Sequence, residues 1–126
     1  MKYIKHFENT ILNCASEKLT EIPELPENLT KLSCFNNYLT YLPELPDTLV
    51  DLYCYNNNLT ELPTLPNTLK CLSCSDNKLT ELPILPDSLE FLSCEGNSLP
   101  YTNLTQYKKW LAIHHPEVTN ANKFNI

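Results

Sequence analysis

Apolar residues recur along this chain at a fixed interval of twenty. Read in blocks from Leu25, the sequence gives "LPENLTKLSCFNNYLTYLPE", "LPDTLVDLYCYNNNLTELPT", "LPNTLKCLSCSDNKLTELPI" and "LPDSLEFLSCEGNSLPYTNL" without a gap. The shared frame is L-P-x-x-L-x-x-L-x-C-x-x-N-x-L, with Cys at 14, 34, 54, 74 and 94 and Asn at 37, 57, 77 and 97. Self-similarity at such a period marks a stacked repeat. Within "LTKLSCF", Leu32 and Cys34 take one face while Lys31, Ser33 and Phe35 take the other, which predicts a short strand in every repeat. One block cannot bury Leu29, Leu32, Cys34, Leu39, Leu42 and Leu45 alone; stacked blocks bury them behind a parallel sheet with strands about 4.8 Å apart.

Between strands, the L-P-x-L-P segments and their I-P-x-L-P counterpart hold eight of the ten prolines. Proline fixes φ and lacks an N–H, so these stretches predict a polyproline-like wall rather than a helix. Asn37 and its equivalents stand where the chain leaves the strand, and an amide there satisfies donors and acceptors of the turn backbone. After the repeats, "NLTQYKKWLAIHHP" reads as a helix. Asn103 and Gln106 form a capping box, Pro116 is a stop, and Leu104, Tyr107, Leu111 and His114 share one face with Trp110 beside it. Such a helix covers the last core face, which a repeat array otherwise leaves open to water. At the other end, Tyr3, Ile4 and Phe7 are placed to cover the first repeat.

This frame resembles the leucine-rich repeat, and its twenty-residue period with L-P-x-L-P is similar to the short bacterial-effector type, in a cysteine-containing variant. The resemblance covers roughly residues 12–102. The first copy, "LNCASEKLTEIP", departs from it, with Asn9 where Leu is expected and Glu17 where Asn is. The resemblance implies a leucine-rich repeat solenoid of the α/β class: a parallel sheet on the concave face, an irregular convex wall and a C-terminal capping helix. It implies one domain over 1–126, with an N-terminal cap at 1–11, about five repeats over 12–102, the capping helix at 103–116 and a tail at 117–126.

The C-x-x-C pair Cys71 and Cys74 invites a metal or redox reading. Strand parity removes it, because residues three apart on a strand lie on opposite faces. Cys74 belongs to the buried cysteine column and Cys71 to the outward column of Lys31, Asp51 and Phe91. The five stacked cysteines read as small apolar core residues, inert because a dry core raises a thiol's pKa. Cys71 is the one thiol expected to be reactive.

Composition narrows the function. The net charge is −6, with nine lysines and no arginine, which argues against nucleic acid or an anionic membrane as partner. A single glycine implies few positive-φ turns and no phosphate-cradling loop. The N-terminus has no long apolar run, so no leader or membrane span is expected, and six cysteines in such a chain fit a reducing cytosol. For an effector or viral protein that cytosol is the host's. The three histidines lie at the two ends and the acids fall mostly on the wall, so no catalytic residue, no metal site and no cofactor is expected. The chain is read as not an enzyme.

What varies between repeats is the outward face of the strands. Its columns run Ile11, Lys31, Asp51, Cys71, Phe91; then Asn13, Ser33, Tyr53, Ser73, Ser93; then Ala15, Phe35, Tyr55, Ser75, Glu95. Phe35, Tyr53 and Tyr55 fall on neighbouring strands, with Tyr38 just beyond, and exposed aromatics are typical interface anchors. The binding face for another protein is therefore expected to use Phe35, Tyr38, Tyr53, Tyr55, Asp51 and Phe91. Five strands make it about 20 Å wide and about 400 Å² in projection, roughly twice that as accessible surface, which is marginal against the ~800 Å² per partner of a standard interface. The chain is read as a monomer or weak homo-oligomer, and the alternative functions are a self-associating structural or assembly protein and, by family analogy alone, substrate recognition for a ubiquitin ligase acting in trans.

Overall fold

The structure, a computed structural model, describes residues 10–118 and the backbone of 4–6. Among the described residues, six strands form one sheet in chain order: β1 (Ile4–His6), β2 (Ile11–Asn13), β3 (Lys31–Ser33), β4 (Asp51–Tyr53), β5 (Cys71–Ser73) and β6 (Phe91–Ser93). From β2 to β6 every pairing is parallel and joins residues twenty apart: Leu12, Leu32, Leu52, Leu72 and Leu92 lie opposite one another. The sequence period has become the sheet register. β1 adds to the front edge in antiparallel sense, with Lys5 opposite Leu12. That strand carries no copy of the repeat frame, which is why the period did not reveal it. Tyr3 and Phe7, expected to cover the first repeat, lie outside the described residues.

Behind the sheet the repeated positions stack into one core. Leu32, Cys34, Leu39, Leu49, Leu52, Cys54, Leu59, Leu69, Leu72, Cys74 and Leu79 are fully buried. Burying one such leucine is worth about 1.5–3 kcal/mol relative to leaving it exposed, and each unit gains this only from its neighbours above and below. The proline segments form the opposite wall and contain neither helix nor strand.

Two side-chain ladders tie one coil to the next. Asn37 Nδ2 donates to the carbonyls of Cys14, Cys34 and Phe35 at 3.0, 3.0 and 3.2 Å, while its Oδ1 accepts from the backbone of Glu17 and Leu19. Asn57, Asn77 and Asn97 repeat the arrangement. The asparagine column is structural, as its place in the frame suggested. A second ladder was not read from the sequence. The hydroxyls of Thr48, Thr68 and Ser88 each donate at 2.7 Å to a carbonyl of the preceding coil, those of Leu29, Leu49 and Leu69.

The expectation of few positive-φ turns is wrong. Asn36, Asn56, Asp76 and Gly96 all have φ between 54° and 75°, one per coil, and Ser16 holds the same place in the first. Asn and Asp tolerate the left-handed region through local hydrogen bonding, so the turn does not require glycine. Only the last coil uses one. A Cβ on Gly96 would stand 2.1 Å from Asp76 Oδ1.

Helix α1 (Leu104–His114) closes the far end. Asn103 Oδ1 accepts from Gln106 N at 2.9 Å, and Gln106 Oε1 reaches back to Thr102 N at 2.8 Å, one residue earlier than a standard capping box would place it. The incoming chain also completes the sheet edge: Cys94 N donates to Thr102 O at 3.0 Å, as Cys74 N donates to Ser93 O at 2.9 Å. Tyr107 is buried, and Leu104, Trp110 and Leu111 pack against the core. His114 stays exposed, its ring 5.1 Å from Trp110 and its Nδ1 3.0 Å from the Trp110 carbonyl.

Candidate binding face

The outward side of β2 to β6 extends beyond the three-residue strands. Asn36 N donates to Tyr55 O, Asn56 N to Ser75 O and Asp76 N to Glu95 O, so parallel pairing continues through the third outward column. That column carries the aromatic stack. Phe35 and Tyr55 lie with ring centroids 4.5 Å apart and planes 6° from parallel, close to the strand spacing itself. Both rings are half-buried.

Tyr53 does not join this stack. It sits one column over, with Lys31 Nζ 5.4 Å from its ring centroid and the Cys71 thiol 3.6 Å from its hydroxyl. Asp51 lies between Lys31 and Cys71 in register and is half-buried. The remaining expected residues are more peripheral. Phe91, 53 % exposed, ends the first column on β6. Tyr38, 57 % exposed, is in the turn after β3, its N–H bonded to Leu19 O, and among the described residues it stacks on no other ring. The structure thus brings Phe35 to Tyr55, and Tyr53 to Lys31 and Cys71, and leaves Tyr38 and Phe91 at the margins.

On β5 and β6 the same face changes character. The hydroxyls of Ser75 and Ser93, 2.7 Å apart, both donate to Glu95 Oε1. These bonds hold the Glu95 carboxyl below its ordinary range. This cluster was missed by sequence reasoning. The columns that list these residues were visible, but nothing in the spacing says that Glu95 leans back one strand to meet Ser75.

The cysteines divide as parity requires. Cys74 is fully buried and Cys71 half-buried on the other face, and all six thiols are free. Burial pushes the Cys14 and Cys94 thiols up to about 11, and also raises those of Cys34, Cys54 and Cys74. Among the described residues no group of three His, Cys, Asp or Glu side chains is arranged to hold a metal ion, and no helix is long and apolar enough to cross a membrane.

No family model and no curated protein matches the sequence. Solved structures do. The leucine-rich repeat domain of a Shigella effector superposes with a TM-score of 0.70 at 38 % identity, over 73 % of this chain and 47 % of that one. YopM from Yersinia enterocolitica gives 0.62 at 43 % identity, over 64 % of this chain and 20 % of that one. The leucine-rich effector YopM from Yersinia pestis gives 0.62 at 34 % identity, over 73 % and 32 %. The chain spans less than half the length of each of these structures.

Proposed function

We propose that this leucine-rich repeat solenoid, built like the bacterial effector domains it resembles, is a non-catalytic module that binds another protein through the outward face of its sheet. The observation that carries the reading is the contrast between a uniform interior and a varied, aromatic outer surface on β3 and β4. Phe35 and Tyr55 expose ring surface held rigid by stacking, and Tyr53 adds a polar tip beside Lys31. Rigid aromatics lose little side-chain entropy on docking, which suits them to anchor an interface. Because the sheet face is marginal against a standard interface, the partner is expected to reach one flank as well, and Tyr38, exposed at the turn after β3, is placed to meet it. The likeness to effector domains supports a site of action in a host cytosol.

The test is capture from host-cell lysate under reducing conditions, comparing the wild type with Tyr53→Ala/Tyr55→Ala. A partner retained by the wild type and lost by the variant, with the variant's thermal unfolding still cooperative, is the expected result. Equal capture by both would remove the outer face as the binding surface.

A further inference from the structure

The third outward column reads Phe35, Tyr55, Ser75, Glu95 from β3 to β6. An aromatic stack is followed by a small buried hydroxyl and then by a carboxylate that leans back toward it. Tyr55 and Glu95 stand two strand spacings apart at the backbone, about 10 Å, and the lean of Glu95 narrows that gap at the side chains. Glu95 is exposed, and both serine hydroxyls go to its Oε1; among the described residues, no donor from another residue reaches Oε2. Among the described residues of β2 to β6, the only lysine on the outward strand positions, Lys31, is committed over Tyr53 on the far side of Tyr55. The chain has no arginine of its own and a net charge of −6. A fixed, ionised carboxylate thus sits beside a π surface, and among the described residues no cation meets it.

We propose that this part of the face receives an arginine side chain of the partner protein, its guanidinium laid against the Tyr55 ring and paired with Glu95 Oε2. Arginine fits where lysine does not, because a planar guanidinium stacks on an aromatic ring while presenting N–H donors at its edge. The serines act as positioning residues: they fix one carboxylate oxygen so that the other faces the incoming donor. The proposal rests on the outer face being the binding face.

A titration of the isotopically labelled full chain with N-acetyl-arginine amide, followed by NMR, tests it, with N-acetyl-lysine amide as the comparison. The expected result is saturable shifts centred on Tyr55, Ser75 and Glu95 in the millimolar range for the arginine probe, weaker for lysine. Glu95→Gln should weaken arginine binding about three- to fivefold, the scale of an exposed ion pair, and Tyr55→Leu should erase the preference over lysine. Equal binding of the two probes, shifts centred elsewhere, no shifts, or full affinity in Glu95→Gln would each overturn the proposal. Lysate capture separates this failure from failure of the broader reading. A partner lost by Tyr53→Ala/Tyr55→Ala but captured undiminished by Glu95→Gln leaves the face in place and removes the arginine. One retained by both variants removes the face.

Discussion

Positions 34 and 35 are adjacent in the chain and follow opposite rules. In the column of Cys34, every coil supplies the same residue, and every copy is buried. In the column of Phe35, the coils supply Ala15, Phe35, Tyr55, Ser75 and Glu95, and no two agree. The inner column is fixed because each residue's neighbours are earlier and later copies of itself, so a change in one coil meets two unchanged ones. The outer column meets water, and its residues are free to differ. Repetition therefore reports how the solenoid holds together, and variation marks where the coils differ in what they present.

The asparagine pair 56–57 gives the sharpest break between the two rules. Asn57 is buried, accepts Leu39 N–H at 3.0 Å and donates to the Cys34 and Cys54 carbonyls at 3.1 Å each. Those carbonyls have a second donor, since Asn37 also reaches Cys34 O and Asn77 also reaches Cys54 O. Among the described residues, the Leu39 N–H has no second acceptor. Asn57→Ala therefore orphans a buried donor as well as losing the ladder bonds, and should cost about 3 kcal/mol in urea unfolding. Asn56→Ala, next along the chain but exposed, should cost about 1 kcal/mol, mainly for placing alanine at φ 58°. Equal costs would mean that the ladder adds nothing beyond turn propensity.

Smaller, but of the same origin, is the effect of polarity inside the cysteine column. Cys54→Ser buries a hydroxyl with no assured acceptor and should destabilise by ~1–3 kcal/mol. The pH dependence has a definite sign. Burial raises the folded-state thiols above their ordinary value of 9.0, to about 11 for Cys14 and Cys94, so above pH 9 the unfolded chain loses protons that the folded one retains. Stability should be free of any thiol contribution to its pH slope below pH 9 and fall from there toward pH 11. Replacing Cys14 and Cys94 by alanine should make that fall shallower, with Cys34, Cys54 and Cys74 keeping their share; an unchanged slope would place it in other groups.

The interior was legible in the sequence because its physics is periodic. Twenty-residue spacing fixes the register of β2 to β6, and strand parity alone puts Cys74 inside and Cys71 outside. What stayed hidden lacked a period or depended on side-chain direction. β1 carries no repeat frame, and the left-handed turns were masked by the habit of equating positive φ with glycine, when Asn36, Asn56 and Asp76 fill that role. On the outer face, the columns listed neighbours correctly without saying which would touch. Phe35 found Tyr55, whereas Tyr53 turned to Lys31 and Cys71, and Glu95 leaned toward Ser75.

The smallest effect tests whether the outer face is folded for its own sake. If Phe35 and Tyr55 served only to stabilise the sheet, their coupling should account for most of what either contributes. A double-mutant cycle of Phe35→Ala and Tyr55→Ala isolates it, since both residues lie on regular backbone and their rings touch at 4.5 Å. The expected coupling is ~1 kcal/mol, the scale of a stacked aromatic pair beyond its area burial. That is small beside the loss at Asn57, as a half-exposed pair should be. A coupling as large as the Asn57 cost would make the stack a second structural spine, and the reason for an aromatic pair on only two of five coils would then lie in the fold rather than in a partner.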